Sequence, residues 1–165
     1  MPPDQGGDRQ PSIVDAYNRS MTTPLERITS RIAPFRDGDT DTFAPKPLLT
    51  LEEFFDGNEV TGSILCNVVL DEEAYDAPTP LQVRAVLETI RARDDVDDVR
   101  VAIAMFDDPD WPFAEEVVVV ADAEPDVVAS WFPEVYAPDA VTDAGDEEYE
   151  DIRGAIERFR VCWWD

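Results

Sequence analysis

Apolar positions between residues 21 and 35 recur at spacings of three and four: Met21, Leu25, Ile28, Ile32 and Phe35. That spacing lines one face of a helix. Thr23-Pro24-Leu25-Glu26 supplies its start, with a capping threonine, a proline at the first helical position and a capping-box glutamate. Upstream, Ser12 with Asp15 three positions on is read as the cap of a shorter helix, and residues 1–11, with three prolines and two glycines, as a mobile tail. Pro34 and the run Asp37-Gly38-Asp39-Thr40-Asp41-Thr42 end this arm, and Pro45 and Pro47 make a stiff linker. The expected organisation is therefore a tail and helical arm at 1–47 and one α+β domain at 48–165.

Within the body, Thr50-Leu51-Glu52-Glu53 is a second capping box, opening a short helix that carries Phe54 and Phe55 and stops before Gly57. The run Ile64 to Leu70 reads as a strand. Thr79-Pro80-Leu81-Gln82 opens a longer helix with Val83, Val86, Leu87 and Ile90 on one stripe. Val99, Val101, Ile103 and Met105 alternate with Arg100, Ala102 and Ala104, as in a half-buried strand. Val117 to Val120 reads as another strand, Pro125 opens a helix bearing Val127, Val128, Trp131 and Phe132, and a short acidic helix is expected around Asp146 to Arg153. The last strand places Phe159, Val161 and Trp163 on one side and Arg158, Arg160, Cys162 and Trp164 on the other.

From residue 60 onward this order is βαββαβ, the ferredoxin-like or split-βαβ arrangement, with helices on one face. The usual strand order of that fold puts the two strands apolar on both sides, 64–70 and 117–120, in the middle and the arginine-bearing strands outside. The second sheet face then needs a cover. The amphipathic arm is the natural one and a partner subunit the competing one.

Charge changes the picture. The 165 residues carry 38 acidic and 13 basic side chains, a formal net charge of -25, of which the arm to residue 46 contributes -1 and the rest -24. Such a surface repels phosphate backbones and anionic lipid, so neither nucleic acid nor membrane is expected as a partner. No apolar run is long enough to cross a bilayer, and the first residues lack a secretory signal, which points to the cytoplasm. The chain has no histidine and two cysteines, Cys66 and Cys162. Imidazole-dependent catalysis is excluded, most zinc, iron and copper chemistry goes with it, and no cofactor is expected. The two thiols fall on strands expected to be neighbours and are read as reduced and buried, with a redox pair as the alternative.

Four carboxylate groupings are candidates for chemistry. Asp94, Asp95, Asp97 and Asp98 form one dense run and Glu147, Glu148, Glu150 and Asp151 another; each is a candidate docking surface for a basic partner, the alternative being a solvated surface kept soluble by repulsion. Asp107, Asp108 and Asp110 make a tighter knot in a turn and are the candidate magnesium or calcium site. Asp37, Asp39 and Asp41 occupy the first, third and fifth positions of a calcium loop, but Thr42 and Leu48 stand where its glycine and glutamate belong. Arg100, Arg158 and Arg160 are candidates for gripping an anion, against cross-strand pairing with carboxylates.

The string Leu49-Thr50-Leu51-Glu52-Glu53-Phe54-Phe55, with Gly57-Asn58, Gly62-Ser63-Ile64, Cys66-Asn67, Trp111-Pro112-Phe113 and Trp163-Trp164-Asp165, resembles an uncharacterised family of small acidic bacterial proteins. The likeness runs from about residue 48 to the end, so the arm looks like an addition. It implies a shared fold and a bacterial source and transfers no site residue. The functional expectation is a non-catalytic acidic module that binds a basic protein, in the manner of an immunity protein or inhibitor. A carboxylate-based metal-dependent enzyme or regulator, and a structural or oligomerising protein, stand as alternatives; the oligomeric state is left open.

Overall fold

Three helices start on the same device. Thr23, Thr50 and Thr79 each accept a hydrogen bond from the backbone N–H three residues on, while Glu26, Glu53 and Gln82 reach back to the threonine's own N–H. Two orphan donors per helix are satisfied in this way. The computed structural model describes residues 12–13, 22–74 and 76–165. Its helices are α1 (Pro24–Ile32), α2 (Leu51–Phe55), α3 (Pro80–Arg91) and α4 (Pro125–Ser130). The expected tail of residues 1–11, Met21 and the Asp15 of the expected upstream cap lie outside the described residues.

The strands are β1 (Leu48–Leu49), β2 (Asp98–Ala102), β3 (Glu116–Val120), β4 (Ala140–Thr142) and β5 (Phe159–Trp163). They form one open sheet in the order β1-β2-β3-β5-β4, antiparallel throughout. The protein is α+β, consistent with a ferredoxin-like arrangement. All five residues of β3 are buried, as expected of a central strand apolar on both faces.

Two features of the sheet differ from the expected pattern. Ile64–Leu70 is not a strand: Ile64 makes a single bridge to Ala114, and Leu65 takes a left-handed backbone with φ 52°. A strand would send Ile64 and Leu65 to opposite faces, whereas this turn buries both in the same core cluster. The arginine-bearing strands β2 and β5 are also interior, flanked by short β1 and β4. Their charges do not force an edge, because Arg100 pairs with Asp98 and Arg160 with Asp143.

Alternation along the strands sorts the core into two layers. Leu49, Val99, Val101, Val117, Val119 and Cys162 face the helices, where Phe54 of α2, Leu87 and Ile90 of α3 and Val128 of α4 meet them. Arg91 of α3 donates two hydrogen bonds to Glu52 of α2, at 3.0 and 2.7 Å, and holds that carboxyl down at about 2. Helix α1 joins this same layer through Ile28 and Ile32, both essentially inaccessible. Its proline seats on Gly57, where φ is +77° and a Cβ would come within 2.4 Å of Pro24. Only glycine fits there.

Helix α1 of the arm is therefore not the cover of the second face. Leu48, Ala102, Val118, Val120, Phe159 and Val161 are covered instead by Tyr149, with Ala144, Ile152 and Ala155 packed around it. The acidic helix expected near Asp146–Arg153 is an irregular segment laid across the sheet. Isolated helices this short are marginal in water, and here the buried tyrosine and the ion pairs described below hold the segment without one.

Because α1 is part of the core, Ile28→Ala is expected to cost about 2–5 kcal/mol of stability. Urea unfolding followed by circular dichroism checks this. A loss under about 1 kcal/mol would mean that the arm docks only loosely.

Candidate functional site

A polar cluster on the second sheet face centres on Lys46, the chain's one lysine. Its Nζ donates to Glu116 Oε1 at 3.1 Å and to Glu147 Oε2 at 2.7 Å. The Tyr149 hydroxyl donates to Glu116 Oε2 at 2.7 Å, and the Lys46 ammonium lies 5.9 Å from the centre of the Tyr149 ring. Glu116 is a buried carboxylate in the middle of the sheet, so it needs both partners. Burial pushes the Tyr149 phenol far up, and the Glu116 charge adds to this, so the hydroxyl stays a donor. Burial also pulls the ammonium down, but hydrogen bonds and charge from Glu147 and Glu116 outweigh it and the net shift is upward. The hydrogen bond from Lys46 lowers the Glu147 carboxyl.

Backbone bonds extend the cluster. Lys46 N–H donates to Glu148 O and Glu150 N–H to Lys46 O, both at 2.9 Å. Glu150 Oε2 then accepts from Leu48 N–H and from Arg31 of α1, each at 2.8 Å, and Arg31 also reaches Glu53 at 2.5 Å. The run Glu147, Glu148, Glu150 and Asp151 thus has two of its carboxylates, Glu147 and Glu150, paired with Lys46 and Arg31 as a clamp. Glu148 remains exposed, and Asp151 accepts from Gly154 N–H at 2.9 Å.

The run at Asp94, Asp95, Asp97 and Asp98 is also partly consumed. Asp95 pairs with Arg93 at 2.9 Å, Asp98 with Arg100 at 2.7 Å, and Asp97 with Arg158. Asp94 is exposed without an ion pair among the described residues. Arg158 and Arg160 do not share a face: Arg158 lines a cleft with Arg100 and Arg153, while Arg160 turns to Ala123 O and Asp143. The cause is a 3₁₀ turn at Ile156–Arg158, which breaks strand alternation just before β5. Both cysteines are free; Cys162 is buried, and burial raises its thiol pKa, but Cys66 is exposed because its segment is a turn.

The remaining two acidic loops are brought together by the fold. Thr42 bridges Met105, and Phe106 N–H donates to Asp41 O at 2.8 Å, so the loop of Asp37, Asp39 and Asp41 lies against that of Asp107, Asp108 and Asp110. All six aspartates are exposed, and none is in an ion pair among the described residues. They do not converge on one point: no group of three or more carboxylates or thiolates among the described residues is placed to hold a metal ion. Asp108 instead accepts from Asp110 N–H at 2.8 Å, which shapes the turn.

Beside this acidic end lies a cleft of about 370 Å³ between the 60–63 turn and the 105–113 hairpin, with Met105, Trp111 and Phe113 in its walls. Buried Asn58 fixes the turn by donating to Ser63 Oγ at 3.0 Å and accepting from Val60 N–H at 2.9 Å. Trp111 is 3% exposed, packs edge-on to Phe54, and its Nε1–H has no hydrogen-bond partner among the described residues. A donor left unmatched in this way costs about 1–3 kcal/mol. Nothing in the sequence marks Asn58 and Ser63 as buried polar groups, or Trp111 as an unmatched one. Polar residues flanking glycines read as turn formers, and only the packing shows which are covered.

A profile of the family described as "Uncharacterized protein YfbO" matches residues 23–162. The chain belongs to the YfbO family. It is also 42% identical over 147 residues to a protein of Escherichia coli (strain K12) described as an uncharacterized protein YfbO, a match covering 87% of this chain and 99% of the relative. No solved structure matches. The bacterial family expected from the motifs is thus shown, but the YfbO match begins at Thr23 and takes in α1, so the helical arm is not an addition to it. That agrees with the burial of Ile28 and Ile32.

Lys46→Met strips Glu116 of its cation and is expected to cost about 2–3 kcal/mol at neutral pH, the lower part of the range because Lys46 retains some exposure. The sign with pH follows from the shifts. Glu147 is lowered, so its share is complete above its unfolded value of 4.5 and is lost as pH falls through the folded value; Lys46 is raised, so its share is complete below 10.5 and is lost as pH rises through its folded value. The stability difference between wild type and Lys46→Met, from urea unfolding across pH, should form a plateau between those limits and shrink beyond each.

Proposed function

We propose that this YfbO-family chain is a non-catalytic acidic module that binds a basic protein in the cytoplasm, with an inhibitor-like or immunity-like action on that partner. The observation that carries the reading is the acidic end: six exposed aspartates from two sequence-distant loops, none of them in an ion pair among the described residues. Carboxylates that serve the fold are paired, as in the clamp on Lys46. Those at the acidic end are in no ion pair among the described residues, so their charge is available to a cationic surface, where it accelerates and selects encounters. Of the acidic runs, 94–98 and 147–151 contribute to the same field mainly through Asp94, Glu148 and Asp151. The two free thiols suit a reducing compartment.

The test is affinity capture from the host's soluble lysate at about 50 mM and about 300 mM salt, with captured proteins identified and rebound in purified form. A basic protein should be recovered at low salt and largely released at high salt. A variant with asparagine at positions 37, 39, 41, 107, 108 and 110 should retain under about a tenth of the binding, with unfolding unchanged. Recovery of nothing above background at either salt would refute the reading.

A further inference from the structure

We infer that the cleft beside the acidic end is the anchor point for the partner, receiving an aromatic or large apolar side chain flanked by lysine or arginine. This rests on the binding-module reading and names the chemistry of the segment bound. Three observations meet at one place. Val60, Met105, Trp111 and Phe113 give the cleft apolar walls, while Asp107 and Asp108 stand on its rim. Its volume, about 370 Å³, is at the small end for binding pockets and suits one or two side chains. Trp111, whose buried Nε1–H has no hydrogen-bond partner among the described residues, forms part of the wall, so a bound side chain packs directly against its ring.

Charge complementarity decides the occupant. An uncharged apolar ligand would use the walls and ignore the aspartates, and a purely cationic chain would use the aspartates and ignore the walls. A segment carrying both satisfies both, which is the anatomy of an interface hot spot: a buried aromatic anchor inside a polar rim. The 60–63 turn that forms one wall is held by the Asn58–Ser63 hydrogen bond, and Ala114 N–H donates to Ser63 O at 2.9 Å, so the cleft is pre-formed. Little ordering is required on the protein's side.

The test uses the full chain and three short peptides: one of lysines around a central phenylalanine, one with alanine in its place, and one with the phenylalanine among glutamines. Calorimetry should show the first binding at least about tenfold more tightly than the alanine peptide, the worth of burying one aromatic ring, and more tightly than the glutamine one, which lacks the charge. In ¹H–¹⁵N spectra the Trp111 indole signal, assigned with Trp111→Phe, should move on addition of that peptide. Thr61→Trp, an exposed substitution that fills the cleft, should reduce the phenylalanine peptide to the affinity of the alanine one. If the two lysine peptides bind equally, and Thr61→Trp changes neither, the cleft has no anchoring role although the acidic reading stands. If no peptide binds, both readings fall. Self-association that Thr61→Trp abolishes in sedimentation would give the cleft to a second copy and overturn the inference.

Discussion

Glu116 sits in the central strand of the sheet with its side chain buried on the face opposite the helices, and an isolated carboxylate there would be untenable. Lys46 and Tyr149 make it tenable, and the rest of the second face depends on that solution. Lys46 also holds Glu147, and the backbone of residues 46–48 is hydrogen-bonded to the segment 148–150. Arg31 ties the same segment to α1. One neutralised carboxylate thereby joins the arm, the edge strand and a segment more than a hundred residues away in sequence.

This arrangement explains how so acidic a chain covers a hydrophobic face with an acidic segment. Tyr149 supplies the apolar surface, while its neighbours Glu147 and Glu150 point at cations, so repulsion is removed where the chain must approach itself. The same economy appears between α2 and α3, where Arg91 grips Glu52, and at Asp98 and Asp143, each of which takes an arginine of a strand. Basic residues are scarce and most are used inside the fold. The negative charge that results belongs to the surface left over, which includes the two loops of unpaired aspartates that meet through Thr42 and Met105.

The structure also separates two kinds of acidic cluster that look alike in sequence. Glu147 and Glu150 stand in a run as dense as any other, yet they serve the fold. Asp37, Asp39 and Asp41, which resemble an incomplete calcium loop, lie against Asp107, Asp108 and Asp110 because Thr42 bridges Met105 and Phe106 N–H donates to Asp41 O. Charge density along a chain carries no information on which carboxylates will find a cation across it.

What the sequence determined by itself was local. Capping boxes at Thr23, Thr50 and Thr79 fixed three helix starts, apolar spacing fixed the buried stripe of α3, and the all-apolar run 117–120 in β3 announced its central place. These are effects of neighbours within four residues, which are on the page in any sequence. Tertiary structure decided what depends on distant partners: that Ile64 and Leu65 turn instead of extending, that Arg100 and Arg160 sit in interior strands, that α1 packs with the helices, and that Tyr149 closes the second face. Each follows from a pairing or a close approach across the chain, such as Pro24 on Gly57 or Lys46 on Glu116, and no pattern local to either residue specifies the other.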